Sequence, residues 1–511
     1  MRFRFAAAML VLWHVTGAAQ TMERAASGSY TVRVPWLKTD NQTINNAYRI
    51  AMGDMIGNIS LFRDGLLEKP APVLLAGQGY PTPWTRDASI NAWNGASILV
   101  PTVAKNTLLA VIRAHEEGPR VIGEDQYWDA IVWVTGAWHH YLYTGDREFL
   151  WLAFQVARNS IRYYEETEFD QADGLFRGPG WSDGVAGYPM EYADSGGNSA
   201  ISLWPKFNPA KRAASPSYGI PMKALSTNCL HYNAYRVLSE MAGELRLPVD
   251  PSWARKADKL REAINKHLWS EGCGHYRFLT GPLGISDHQE ALGHAYALLF
   301  GIADDARVQL VLERQHVAPA GVPCLWPNLE RYQSPDGMSF GRHAGTIWPQ
   351  IQGMWAHAAA KYRKDAIFGH ELFQLAQHAV RDNQFAEIYH PASGAIYGGL
   401  QERPGKGIVL WTSKPRQTWA ASAYLRMILS GLVGIEVSRD GIRFEPCVPE
   451  GISQVEVVDL HVRNANMDIA IKGKGVRLRT LTVSGMRLPA GTTIPWDSWG
   501  QRKLRVVMEM Q

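Results

Sequence analysis

Cysteine is scarce, with Cys229, Cys273, Cys324 and Cys447 the four in 511 residues, and no C-x-x-C pair is present to hold zinc or run redox chemistry. We expect these thiols to be structural or inert. A Walker loop, a G-x-S-x-G elbow, an H-E-x-x-H pair and a Rossmann glycine fingerprint after a strand are all missing, which removes the usual support for ATP, serine-esterase, zincin and dinucleotide chemistry. The sequence therefore implies no cofactor and no metal. Charged residues make up only 20% of the chain, and 52 Lys and Arg stand against 48 Asp and Glu without a basic block. That excludes an electrostatic footprint for nucleic acid and favours a neutral or weakly charged ligand. With 46% hydrophobic residues, intrinsic disorder is excluded too.

Long apolar runs are also lacking, with one short exception at the N terminus. Arg2 and Arg4 precede the run Phe5 to Trp13, and Gly17-Ala18-Ala19 offers a small-residue cleavage site, the three-part plan of a secretory signal. The run falls short of the ~20 apolar residues that a spanning helix needs. The expectation is a signal peptide over 1–19, no membrane span after its cleavage, and a secreted or periplasmic mature protein.

From Asp40 to about Gly434 the apolar spacing is helical. Tyr127, Ile131, Val134, Trp138 and Tyr141 follow one another at steps of 4, 3, 4 and 3, as do Leu150, Phe154, Ala157, Ile161 and Tyr164, so each set forms one stripe of a helix. Thr144-Gly145-Asp146 between them supplies a stop and a cap, making a helical hairpin. Similar patterns cover 44–62, 88–115, 225–241, 253–268, 290–300, 347–362, 366–380 and 416–432. Ten to twelve helices separated by long loops predict a helical toroid over 20–434. Alternation in Val455 and Val457, Leu460 and Val462, and Met467, Ile469 and Ile471, with glycines between, predicts a small β-sandwich-like domain over 435–511.

What the loops hold in surplus is aromatic: 19 Trp, 20 Tyr and 15 Phe, interleaved with Asp, Glu and Arg. Flat apolar rings beside carboxylates suit a pyranose, whose C–H faces pack on them while its hydroxyls take hydrogen bonds. Four stretches concentrate the combination. In Pro83-Trp84-Thr85-Arg86-Asp87, before a helix, Arg86 offers a planar fork of donors, and Asp87 can accept hydroxyl donors or cap the helix. In Gly180-Trp181-Ser182-Asp183-Gly184 a carboxyl group between glycines and beside an indole sits partly desolvated, which suits a general acid. Glu191 and Asp194 are rival acids nearby. His343-Ala344-Gly345-Thr346-Ile347-Trp348-Pro349 places an imidazole and an indole at a helix start. Glu387-Ile388-Tyr389-His390-Pro391-Ala392-Ser393-Gly394 holds a carboxylate able to orient water as a general base. Each stretch also has a plain structural reading as ion pair, turn, helix-start packing or solvated loop.

The order W-T-R-D, Y-L-Y-T-G-D, W-S-D-G, H-A-G-T-I-W-P and E-I-Y-H-P-A-S-G, followed by a Trp-containing helix and strands, resembles the six-hairpin glycosidases. Glucoamylase, the processing α-glucosidases, trehalase, the amylo-α-1,6-glucosidase part of glycogen debrancher and the α-L-rhamnosidases belong to that superfamily. The resemblance spans about 40–450. It implies an (α/α)6 barrel of six helical hairpins with the active site in the loops at one end. By position it implies Asp183 as general acid, Glu387 as general base with Ser393 where the family pattern has Thr, and Trp84, Arg86 and Asp87 as holders of the terminal sugar. The large N-terminal β-sandwich of some members has no counterpart here, and the residues around Asp183 lack the extended pattern of any one member family.

The resulting expectation is an exported, inverting exo-glycoside hydrolase without cofactor. It would act on a neutral, α-linked, glucose-like sugar at the non-reducing end of an oligosaccharide or other glycoside. Trp128, Asp129, Trp181, His343, Trp348, Tyr389 and Trp411 are candidate pocket residues beside the three holders. A disaccharide phosphorylase on the same barrel and a noncatalytic sugar-binding protein are the alternatives. The first needs no hydrolytic base, and the second needs Asp183 and Glu387 apart.

Overall fold

The structure, a computed structural model, describes residues 11–16, 19–24, 31–121, 129–181, 187–192, 222–403, 406–498 and 503–511. Twelve helices of seven residues or more are found among them. They are α1 (Gln42–Gly57), α2 (Thr85–Asn91), α3 (Pro101–Ala110), α4 (Val132–Thr144), α5 (Arg147–Glu168) and α6 (Leu225–Glu244), followed by α7 (Pro251–His267), α8 (Ala291–Leu299), α9 (Asp305–Arg314), α10 (Pro349–Lys361), α11 (Asp365–Asp382) and α12 (Thr418–Arg426). The even-numbered helices pack in sequence, α2 on α4, α4 on α6, α6 on α8, α8 on α10, α10 on α12, and α12 back on α2. A closed inner ring results, and the odd-numbered helices form an outer ring around it. This is an (α/α)6 toroid.

Burial separates the rings. Outer helix α7 buries only Ala257, Leu260, Ala263 and Ile264, one stripe on an otherwise polar helix, as a surface helix should. Inner helices are surrounded on all sides. In α2 every residue from Thr85 to Asn91 is buried, and α4 buries eleven residues spread around its circumference. The spacing up to Tyr141 therefore marks one stripe of a helix that is buried all round and runs from Val132; Tyr127, the first residue of that spacing, lies outside the described residues. The single helical pattern expected over 88–115 is two helices, because Pro101 opens α3 as its first residue, where its missing N–H costs nothing. Helix α9, capped by the Asp304 side chain on the Arg307 N–H, carries only three buried apolar residues, too few for its period to stand out.

Alternation in the C-terminal part yields a six-stranded sheet. Its strands are β1 (Trp36–Thr39), β2 (Gln454–Val462), β3 (Ala465–Lys472), β4 (Leu478–Val483), β5 (Met486–Leu488) and β6 (Lys503–Met510), in the order β5-β4-β6-β3-β2-β1. Only β3 and β6 run parallel. Between Val457 and Leu460 the β2–β3 register shifts, so Val455, Val457, Leu460 and Val462 all face inward despite the odd step. The remaining strands Ile435–Val437, Gly441–Phe444 and Ile494–Pro495 form a second sheet. The edge strand β1 comes from the N-terminal side of the barrel, within the stretch assigned by sequence to 20–434. Further upstream, Val11–Thr16, Ala19–Arg24 and Thr31–Val34 pair as a three-stranded antiparallel sheet. All four cysteines are free, and no described helix is long and apolar enough to cross a membrane.

Candidate active site

The loops that enter the inner helices carry the unusual residues, and they converge on a cavity of about 310 Å³, at the small end of the ~300–1,000 Å³ typical of small-molecule sites. Trp84, Arg86 and Asp87 reach it from the start of α2, Trp348 from the start of α10, and Gln417 and Trp419 from the start of α12. Glu387 enters from the long loop after α11.

Glu387 is 1% exposed, and both its oxygens are taken by donors. Oε1 accepts from the Tyr80 hydroxyl at 2.7 Å and from Arg342 Nη2 at 3.4 Å, while Oε2 accepts from the Trp411 indole at 3.2 Å and the Lys414 N–H at 2.9 Å. A carboxylate accepts and cannot donate, so a shell of four donors matches the ionised form. Burial, and the Glu387 charge next to it, push the Tyr80 phenol up, keeping it protonated and donating. Arg342 is held in turn. Its Nη1 donates to Gln401 Oε1 at 3.0 Å, and its guanidinium lies 4.1 Å from the centre of the Trp411 ring. Gly399 makes this possible. With φ of 81° its backbone runs against Arg342, and a Cβ there would fall 2.5 Å from Arg342 Cα. That combination of left-handed backbone and close approach needs glycine.

Aromatic walls complete the cavity. The Trp348 indole donates to the Arg342 carbonyl at 2.7 Å, stacks on His343 at 4.9 Å, and meets Trp181 edge-on at 5.0 Å. Burial, followed by the charges of Arg342 and Arg86, pulls the His343 imidazole well down, so it is neutral. Its Nδ1, the Gln417 Oε1 and the Trp419 Nε1 are buried without a hydrogen-bond partner among the described residues. Buried polar atoms are nearly always paired in native proteins, so three unpaired ones around one cavity fit a hydroxylated ligand.

Of the sequence candidates, Trp84, Arg86, Asp87, Trp181, His343, Trp348, Glu387 and Trp411 line the cavity together. Asp183 and Trp128 lie outside the described residues. Two others do not line it. Asp129 sits behind Arg86 and accepts from Nε at 3.2 Å and Nη2 at 2.8 Å, both side chains 3% exposed. A buried guanidinium needs a counter-charge, and Asp129 supplies it rather than a wall. Tyr389 is fully buried, its ring 5.0 Å from His378 and its hydroxyl accepting from the Ala386 N–H at 2.9 Å. Tyr389 bridges to Ile347 and does not line the cavity with Glu387, two residues earlier. Glu191, the reserve acid, is exposed and does not line the cavity.

Sequence reasoning missed Tyr80, Arg342, Gln401, Gln417 and Trp419. Tyr80 precedes the Trp84 motif by four residues and Arg342 abuts the His343 motif, so both had a local signal. Gln401 and Gln417 had none.

Six hairpins closed into a ring, with a buried carboxylate among tryptophans where the inner helices begin, define a six-hairpin glycosidase. Residues 80–420 match the Mannosylglycerate hydrolase MGH1-like glycoside hydrolase domain. The chain belongs to that glycoside hydrolase family. Among solved structures, a mannosylglycerate hydrolase of family GH63 from Thermus thermophilus, in complex with glucose, is 16% identical with a TM-score of 0.56, over 75% of this chain and 99% of that one. A structure titled Sialidase is 16% identical with a TM-score of 0.64 over 87% of this chain, which spans 40% of its length. The GH78 rhamnosidase of Bacillus sp. GL1 is 16% identical with a TM-score of 0.52, over 87% of this chain and 42% of that one. At such identities the likeness is one of fold. No curated protein matches the sequence significantly.

Proposed function

We propose that the chain is an inverting exo-glycoside hydrolase that releases a glucose-like sugar from an α-glycoside, with Glu387 as general base and Asp183 as general acid. The observation that carries this reading is the donor-only shell of Glu387 at the edge of a small aromatic cavity. Arg342, Tyr80, Trp411 and the Lys414 N–H hold the carboxylate in one orientation, in which it deprotonates water attacking the anomeric carbon. Asp183, two residues beyond the cavity-lining Trp181, protonates the departing oxygen on the opposite ring face, with no covalent intermediate. Arg86 and Asp87 grip hydroxyls of the sugar, and Trp84, Trp348 and Trp419 pack on its apolar faces. A cavity of about 310 Å³ supports removal of one terminal sugar over cleavage within a long chain.

The test is ¹H NMR of the first sugar anomer released from α-D-glucosides and α-D-mannosides by the purified protein, with and without phosphate. Inversion requires the β-anomer first. An α-anomer, or release only with phosphate, overturns the reading, and the latter returns the phosphorylase. Tight sugar binding without any release returns the binding protein.

A second reading, an α-glycoside whose leaving group is a small hydroxy acid, is favoured by the family's description and by Lys414. The Lys414 ammonium lies 5.2 Å from the Trp411 ring centre, beside the cavity, where it suits a carboxylate on the leaving group. The order of charge, apolar run and small residues over 1–19 supports export. N-terminal sequencing of protein recovered outside the cytoplasm tests it, with cleavage after Ala19 expected.

A further inference from the structure

Behind Glu387 lies a buried carboxylate that the reaction does not use. Asp54 stands on outer helix α1, its side chain fully shielded from solvent. Its Oδ2 accepts from the Phe385 N–H at 2.7 Å and its Oδ1 from Arg416 Nη1 at 2.6 Å. These two partners belong to different segments. Phe385 is two residues before Glu387, and Arg416 is two residues after Lys414.

The two segments run side by side. Glu387 N–H donates to the Lys414 carbonyl at 3.0 Å, Lys414 N–H returns to Glu387 Oε2, and Gln417 N–H donates to the Phe385 carbonyl at 2.8 Å. Between these rungs Arg416 turns with φ of 47°, a left-handed conformation that is strained for a non-glycine residue and persists only where its surroundings hold it. What holds it is specific. Its N–H donates to Gln384 Oε1 at 3.1 Å, its carbonyl accepts from Asn58 Nδ2 at 2.7 Å and Gln78 N–H at 3.4 Å, and its guanidinium is paired to Asp54. Through Gln78 and the Gly77–Gln417 bridge the same corner also anchors the loop that delivers Tyr80.

We propose that Asp54 is a positioning residue for the general base. By gripping Phe385 and Arg416 at once, it sets the registration of the two segments that aim the Lys414 N–H, the Trp411 indole and the Tyr80 hydroxyl at Glu387. The proposal rests on Glu387 being that base. Charge matters to the grip. A neutral carboxyl adds an O–H that finds only N–H donors at Phe385 and Arg416, and its hydroxyl oxygen accepts from one of them more weakly than a carboxylate oxygen does.

Burial pushes the Asp54 carboxyl up to about 6 against the opposing pull of the Phe385 N–H and of Arg416. Arg416, from the turn, is the charged group that acts on it, and Asp54 in turn acts on Tyr389 of the base segment together with Arg381 and Asp382 at the end of α11. Activity should then drop as pH falls through a step near 6 that belongs to Asp54.

The test uses Asp54→Asn, which fixes the neutral pattern at every pH, with α-D-glucosyl and α-D-mannosyl fluorides as substrates. Fluoride departs without acid assistance, so the base step is read alone. Asp54→Asn should lower kcat roughly ten- to hundredfold, the scale of a misplaced catalytic group, with KM within about threefold. It should also abolish the step near pH 6. If Asp54→Asn fails to fold, Arg416→Gln, which removes the partner instead, should give the same kcat loss. A readout free of substrate is the ¹⁵N indole signal of Trp411, assigned with Trp411→Phe, which should move with pH near 6 in the wild type and not in Asp54→Asn. If neither fluoride is hydrolysed, the base reading fails while the indole signal still decides the positioning. A folded Asp54→Asn with wild-type kcat and pH profile, or with the same indole step, overturns the proposal.

Discussion

Glu387→Gln tests the site on two counts at once, turnover and stability. A positioned general base contributes about 10²- to 10⁴-fold, so kcat should fall by that factor on activated and natural glycosides alike, because water must be deprotonated whatever leaves. The stability effect follows from the donor shell. All four contacts of Glu387 are donors, and a carboxamide keeps only one acceptor oxygen. If that oxygen faces Tyr80 and Arg342, the amide nitrogen faces the Trp411 indole and the Lys414 N–H, and neither pair is then satisfied. Both of these contacts are part-buried, so we count one stranded donor at ~1–3 kcal/mol. Glu387→Gln should thus lose stability in urea unfolding by roughly that amount, as expected for a carboxylate held by its neighbours rather than strained by them. Azide should restore part of the turnover by replacing the activated water. A folded variant with wild-type turnover on every substrate cleaved refutes the role, and one more stable than the wild type refutes the donor-shell reasoning.

Asp129→Asn should destabilise the fold in urea unfolding by up to ~3–5 kcal/mol, since it removes a buried counter-charge of Arg86; a loss under about 1 kcal/mol would mean that other groups hold Arg86. Tyr389→Phe should cost ~1–2 kcal/mol through the Ala386 N–H it strands, with KM unchanged; a large KM rise would put Tyr389 back in the cavity. Glu290, fully buried, has its carboxyl pushed up to about 7 by burial against bonds from Ser226 and the Trp181 N–H. The fold thus holds a proton there that the unfolded chain has released, and stability should fall as pH rises between about 4.5 and 7, by roughly 3 kcal/mol at most. Comparing urea midpoints of wild type and Glu290→Gln across that window measures it, and parallel curves would show that Glu290 does not titrate there.

The helical period, its change to alternation after Gly434 and the ordered motifs from Trp84 to Ser393 are local patterns. The sequence alone therefore determined the fold class and most of the cavity wall. A period of 3.6 or 2 reports how one segment faces its neighbours, and a motif reports residues that a single loop delivers. What it did not determine depends on closure of the ring. Only when α12 returns to α2 does Tyr80 meet Glu387, 307 residues away, and only the packing of α4 beside α2 puts Asp129 behind Arg86 instead of in the wall. The same closure buried the inner helices on all sides, which blurred the start of α4. It also carried Trp36–Thr39 to the edge of a sheet whose next strand, paired through Val455, begins more than four hundred residues later. Pairings at such separation leave no periodic trace in either partner. Tyr389 is placed by another loop in a related way: it bridges to Ile347 and packs on His378, contacts that no spacing around Glu387 announces.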